Sequence, residues 1–163
     1  SHDLLYPKIR KRKQSKHVLI HLFMILEKEI FQKLCIKVVS ADPAIRFAGI
    51  SDEDGELLAF AERENLSPLL TPEERAQYAI TAATRQFTRL RWESHLGKIH
   101  YASSHYAKLI RATIPITDDN NRLAFVLLMS FDVGTANYHK IIVKNVIPLV
   151  NSYREHLLVS IQK

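Results

Sequence analysis

TPEERAQYAITAATRQFTRLRWESHLG, residues 71–97, is the clearest helix in the chain and separates two groups of strand-like segments. Thr71 stands where an N-cap belongs, Pro72 takes the first helical position and Glu74 the capping-box position. Ala76, Ala79, Ile80, Ala83, Phe87 and Leu90 recur at helical spacing and predict the face turned toward a core. His95-Leu96-Gly97 closes the segment, with Gly97 available for a left-handed C-cap.

Working outward, Ile45–Ile50 and Leu57–Ala61 read as strands joined by a turn over 51–56 that carries Asp54-Gly55. A polar connection, Glu62–Leu70, leads from them to the helix. Beyond Gly97 come three more strands, roughly Lys98–Ser103, Tyr106–Ile116 and Arg122–Phe131, the last two joined by the turn-forming loop 117–121. Leu123–Met129 is almost continuously apolar, which suits a central strand covered on both faces, while the short, mixed Lys98–Ser103 suits an edge.

A first helix is predicted from about Lys16 to Ser40, with Leu19, Phe23, Leu26, Ile30, Leu34 and Val38 on one face. Val18, Ile20, Leu22, Ile25, Phe31, Ile36 and Val39 widen that face past half the circumference, so cover is expected on two sides. A final helix is predicted from about Ala136 to Ile161, kinked or broken near Asn145 by Pro148. The order α-β-β-α-β-β-β-α, with short connections between strands, predicts an α+β domain: a five-stranded antiparallel sheet covered by three helices.

The composition agrees with a single globular domain, at 163 residues with 47% apolar and 25% charged positions. A lone cysteine excludes an internal disulfide and any cysteine-based zinc finger, and suits a reducing, cytoplasmic setting. The net charge of +6 is concentrated in Lys8, Arg10, Lys11, Arg12, Lys13 and Lys16, a run with no acid in it. Without these six, basic and acidic residues balance at 17 each. Such an arm can bind nucleic-acid phosphates, anionic lipid or an acidic protein face; the competing reading is a solvated arm that aids solubility. Its only aromatic is Tyr6, so stacking on bases draws no support.

The cations followed by apolar Val18–Leu26 resemble a signal peptide only superficially. His21 interrupts the run, Glu27-Lys28-Glu29 follows it, and no small-residue cleavage pattern is present. The run is also too short for a membrane span, so no transmembrane segment and a buried helix are expected. The opening Ser1-His2 has no initiator methionine and fits a cloning scar or a truncated start.

Nothing in the chain declares catalysis, a cofactor or a metal. His17 and His21 have the i, i+4 spacing of zinc helices but no third ligand nearby, and His95, His100 and His105 follow neither a helical nor a strand period. Cys35, between Leu34 and Ile36, reads as a small buried hydrophobe. Asp52-Glu53-Asp54-Gly55 lacks the ligand pattern of a calcium loop, and no Gly-x-Gly exists to cradle phosphate. Two features stand out instead. Arg85, Arg89 and Trp92 share one stripe of the second helix, and Arg and Trp are enriched at protein–protein contacts. Arg46 and Arg111 lie in apolar strands, where each needs an anionic or carbonyl partner, marks a ligand pocket, or is exposed at an edge.

This order of elements resembles the roadblock/LC7 (profilin-like) architecture and, from about residue 28 to 155, a family of uncharacterised archaeal proteins with a roadblock-like fold. The likeness is carried by Lys33-Leu34-Cys35, Ile45-Arg46-Phe47-Ala48-Gly49-Ile50, Pro68-Leu69-Leu70, the Leu96-Gly97 break and Ile147-Pro148-Leu149. None of these motifs is catalytic. The charge pattern sets off a basic arm over 1–16, and the resemblance implies one roadblock-like domain over 17–163. It also implies a homodimeric or heterodimeric platform, here expected as a homodimer, joined through the edge strand after the second helix and through that helix. Carried onto this chain, the interface takes in Ile99, Tyr101 and part of the 72–94 helix. The basic arm and the very apolar first helix depart from typical roadblock domains. The expected function is a non-enzymatic interaction and dimerisation module. Two alternatives stay open: a PAS-like small-molecule sensor using Arg46 or Arg111, and nucleic-acid or anionic-membrane attachment through the arm.

Overall fold

The computed structural model describes residues 6–161; the side chains of residues 6–15, 23 and 27 lie outside the described set. Helix α1 runs from Tyr6 to Ser40, β1 from Ile45 to Asp52 and β2 from Leu57 to Glu62. Then come α2 (Pro72–Leu90), a one-turn α3 (Glu93–Leu96), β3 (Ala102–His105), β4 (Leu109–Thr117) and β5 (Leu123–Asp132). The chain ends in α4 (Tyr138–Ile141), a π-helical turn (Ile142–Val146) and α5 (Ile147–Val159).

The five strands form one antiparallel sheet in the order β2-β1-β5-β4-β3. The apolar run of β5 takes the central place, as its lack of a polar face requires. Phe125, Leu127, Met129 and Phe131 point to one side, where the C-terminal part of α1 and the final helix cover them. Val126 and Leu128 point to the other and meet Phe47, Ala79, Ala82 and Ala83 beneath α2. Pro148 has no N–H to give to the preceding turn, and the expected break takes the form of the π turn just before it.

Three expectations need correction. First, α1 begins ten residues earlier than the apolar pattern indicated, because Lys, Arg and Gln are good helix formers even without an apolar face. The stretch read as buried is not covered: Val18, Leu19, Ile20, Leu22, Met24, Ile25 and Leu26 are 42–65% exposed. The helix meets the sheet only from about Ile30, through Phe31, Leu34, Cys35 and Val38.

Second, α2 is rolled about its axis relative to the predicted face. Ala79, Ala82, Ala83 and Gln86 are buried, whereas Ile80 and Phe87 are 53% and 71% exposed. Close approach is the cause. Gly55 of the β1–β2 turn has φ +88°, and a Cβ there would lie 2.4 Å from the Ile80 Cα. A helix backbone packed that tightly admits only small side chains beneath it. Third, the edge strand is Ala102–His105 rather than Lys98–Ser103, and α2 stops at Leu90 before the separate turn of α3.

Candidate functional site

The site is the seam where α2 runs beside β3. Its helix is anchored at the N-terminus by the full capping box: the Glu74 N–H donates to Thr71 Oγ1 at 3.2 Å and the Thr71 N–H to Glu74 Oε1 at 3.0 Å. One turn on, Arg75 donates to Glu62 Oε1 at 2.7 Å and lies 4.3 Å above the Phe60 ring, which fixes the helix to β2. These contacts anchor the start of α2, and its roll turns Tyr78, Ala82, Arg85 and Arg89 toward β3 and β4.

On the strand side the seam is lined by Ala102 and Ser104 of β3 and by Arg111 and Thr113 of β4. Ser104 pairs directly with Arg111 and Ala102 with Thr113, so these side chains share the α2 face of the sheet. The Arg111 guanidinium stacks 3.8 Å from the Tyr78 ring centre. Burial holds its pKa below the usual guanidinium range, and burial pushes the Tyr78 hydroxyl up. Among the described residues, Arg85, Arg89 and Arg111 form no ion pair with a carboxylate. Three guanidiniums thus converge on a groove whose own walls hold no anion. Trp92 extends the same stripe past the end of α2 and is 54% exposed.

The sheet edge beside this groove is open. Among the described residues β3 pairs with β4 alone. The opposite edge is different: α1 lies over β2, and Gln32 Nε2 donates to the Phe60 carbonyl at 2.9 Å.

Arg46 has a different fate from Arg111. Its guanidinium donates to Asp132 Oδ1 at 3.2 Å, and Arg63 grips the same carboxylate through both oxygens at 2.7 and 3.0 Å. Hydrogen bonds from Arg63, then from Arg46, hold the Asp132 carboxyl below its usual range. Arg46 is therefore a structural cation tying β1 to the end of β5. Arg46 and Arg111 do line one cavity, of about 40 Å³, together with Phe47, Leu69 and Leu70.

Ile99 and Tyr101 lie away from the Arg85–Arg89–Trp92 stripe. Ile99 lines a cavity of about 190 Å³ between the end of α2 and the final helix, with Leu90, Glu93, Ile114, Ile147 and Val150. Tyr101 packs against that core, and its hydroxyl meets His139 Nδ1. His105 Nε2 meets the Tyr138 hydroxyl at 3.2 Å. The two tyrosine–histidine pairs brace β3 against α4 from behind, an arrangement no local spacing announces. Gln86 was also missed: it is fully buried, receives Thr113 Oγ1 at 3.5 Å and leaves Nε2 without a partner. Its place in register with Ala79, Ala82 and Ala83 was the available signal.

Of the basic arm, Lys16 is exposed, and the side chains of Lys8, Arg10, Lys11, Arg12 and Lys13 lie outside the described residues. Their backbone continues α1. Burial pushes the Cys35 thiol up to about 12, so at neutral pH it stays protonated and poorly nucleophilic. Among the described residues, no three His, Cys, Asp or Glu side chains gather as metal ligands, and no helix is long and apolar enough to cross a membrane.

No protein-family model matches the chain. No curated protein matches it in sequence. Solved structures do match in shape. The gliding protein MglB of Thermus thermophilus is 15% identical at a TM-score of 0.57, over 80% of this chain and 87% of that one. An MglB in a tetrameric arrangement gives 18% and 0.59 over 80% and 87%. A roadblock/LC7 domain from Streptomyces avermitilis gives 14% and 0.58 over 78% and 97%. At such identities the likeness is one of architecture, and on that ground the chain has the roadblock/LC7 fold.

Proposed function

We propose that this protein is a non-enzymatic interaction module, a regulatory or scaffolding platform of the cytoplasm. In this reading it pairs with a second copy of itself along the β3 edge and the adjoining flank of α2. The observation that carries the reading is the inequality of the two sheet edges. β2 is covered by α1, whereas β3 is left unpaired on its outer side, and an unpaired edge is a template for another chain.

The charge along α2 supports a symmetric partner. Its first turn holds Glu73 and Glu74, and its second half holds Arg85 and Arg89. Two such helices laid antiparallel across a two-fold axis bring the acidic end of each toward the basic end of the other. Arg85, Arg89 and Trp92 are then the contacting residues, and Ile99 and Tyr101 hold the edge strand in place from behind. The tetrameric arrangement of one MglB is in keeping with self-association by a protein of this fold.

Sedimentation velocity tests the reading. The expected species has a mass near twice the 18.8 kDa chain. The double substitution Arg85→Glu/Arg89→Glu is expected to shift it to monomer with its secondary structure intact by circular dichroism, since neither side chain is in the core. A wild-type chain that stays strictly monomeric at micromolar concentration, or a dimer indifferent to both substitutions, overturns it.

A further inference from the structure

The exposed N-terminal half of α1 has no place in that dimer, and its chemistry is unusual for a helix in water. Seven large apolar side chains between Val18 and Leu26 are 42–65% exposed. They do not form a stripe. Consecutive helical residues are turned by about 100°, so Val18, Leu19 and Ile20 already point to three sides, and Leu22, Met24, Ile25 and Leu26 fill the gaps. A single partner helix covers only one seam of such a cylinder and leaves the rest in water. A bilayer interface covers all but the side turned to the headgroups.

The flanking sequence agrees. Lys8, Arg10, Lys11, Arg12, Lys13 and Lys16 precede the run on the same continuous helix, with no acid among them. Cations beside an apolar run match the layered chemistry of an anionic bilayer, with phosphates outside and acyl chains beneath. Length decides the mode of contact. Residues 18–26 extend about 14 Å at 1.5 Å per residue, less than half of the roughly 30 Å hydrocarbon core. Upright insertion would therefore strand the cations inside hydrocarbon.

We propose that residues 8–26 are a membrane-surface anchor for anionic bilayers. The helix lies along the interface, with its apolar run below the headgroups and its cationic segment at the level of the lipid phosphates. Glu27, Lys28 and Glu29 mark where the helix leaves the lipid, just before packing on the sheet begins. Nucleic acid offers the same phosphates but nothing to receive the apolar run.

The test is flotation of the full chain with phosphatidylcholine vesicles, with and without phosphatidylglycerol. The expected result is flotation with the phosphatidylglycerol vesicles, at least about tenfold weaker partition to pure phosphatidylcholine, and weakening as salt rises. The uncharged triple substitution Leu19→Gln/Leu22→Gln/Ile25→Gln is expected to release the protein by a similar factor while keeping its melting temperature, because all three side chains are exposed. Four outcomes overturn the proposal. One is a chain that stays in solution with the anionic vesicles. Another is a triple variant that floats like wild type, or wild type and variant binding a DNA duplex equally and as tightly as wild type binds vesicles. The last is a lipid-free wild-type oligomer above the dimer that the triple substitution dissolves, since the helices would then cover one another.

Discussion

Gly55→Ala should cost far more than a methyl group usually does, and the structure says why. Two penalties add at this position. The first is conformational: φ is +88°, and an L-residue in the left-handed region pays roughly 1–2 kcal/mol. The second is steric. The new Cβ would lie 2.4 Å from the Ile80 Cα, 2.9 Å from its nitrogen and 3.0 Å from the Ala79 oxygen, all backbone atoms of α2 with no rotamer to change. Restoring ordinary contact requires α2 to move by about 1 Å, which loosens Ala79, Ala82 and Ala83 from Phe47, Val126 and Leu128. Overpacking of this kind costs a further 1–3 kcal/mol or so, for a total of about 2–5 kcal/mol. Gly134 supplies an internal control, because its φ is +82° but a Cβ there meets nothing within 4 Å. Urea denaturation of both alanine variants should therefore show Gly134→Ala paying only the first penalty. Equal losses, within about 0.5 kcal/mol, would refute the close approach of α2 to the β1–β2 turn and with it the explanation of the helix roll.

Two other measurements bear on the same framework. Gln86→Met is expected to raise unfolding free energy by about 1 kcal/mol, because it removes a buried, unpartnered amide nitrogen at the cost of one long hydrogen bond; a loss of that size in urea denaturation would reveal a partner for Nε2. Asp132 contributes stability that is fully present above its unfolded pKa of about 3.9 and lost as pH falls through its lower folded value. Acid titration of unfolding should thus show a decline below about pH 4 that Asp132→Asn removes, the effect being modest because the carboxylate is 41% exposed.

What the sequence made legible was mostly local. Thr71, Pro72 and Glu74 mark a helix start within one turn, and Pro148 marks a break by chemistry that acts over four residues. The roll of α2 was not legible, since periodicity identifies Ile80 and Phe87 as apolar but cannot reveal that the β1–β2 turn leaves room only for alanine. The stripe of Arg85, Arg89 and Trp92 could be read from spacing on one helix. That Arg111 joins it depends on Ser104 pairing with Arg111 across two strands, a register set by long-range contacts. The edge strand was misplaced for a related reason: Ile99 and Tyr101 alternate like strand residues, yet they pack against the final helix and α4 without pairing to β4. The exposed half of α1 shows the opposite failure, in which an apolar pattern was legible but its cover was assumed to be the protein's own.

The two surfaces occupy opposite ends of the sheet. With the order β2-β1-β5-β4-β3, four strand spacings of about 4.8 Å put roughly 19 Å between the open edge and the strand on which α1 rests. The contacts that hold α1, such as Gln32 on the Phe60 carbonyl and Phe31 against Phe125 at 5.2 Å between ring centres, do not involve α2 or β3. The contacts that set the seam, Arg75 on Glu62 and Arg111 on Tyr78, do not involve α1. The proposed recruitment of a second chain and the proposed attachment to lipid therefore make separable demands on one small domain: the same helix that lies over one sheet edge carries the apolar run outward, and the open edge is the one beside the guanidiniums.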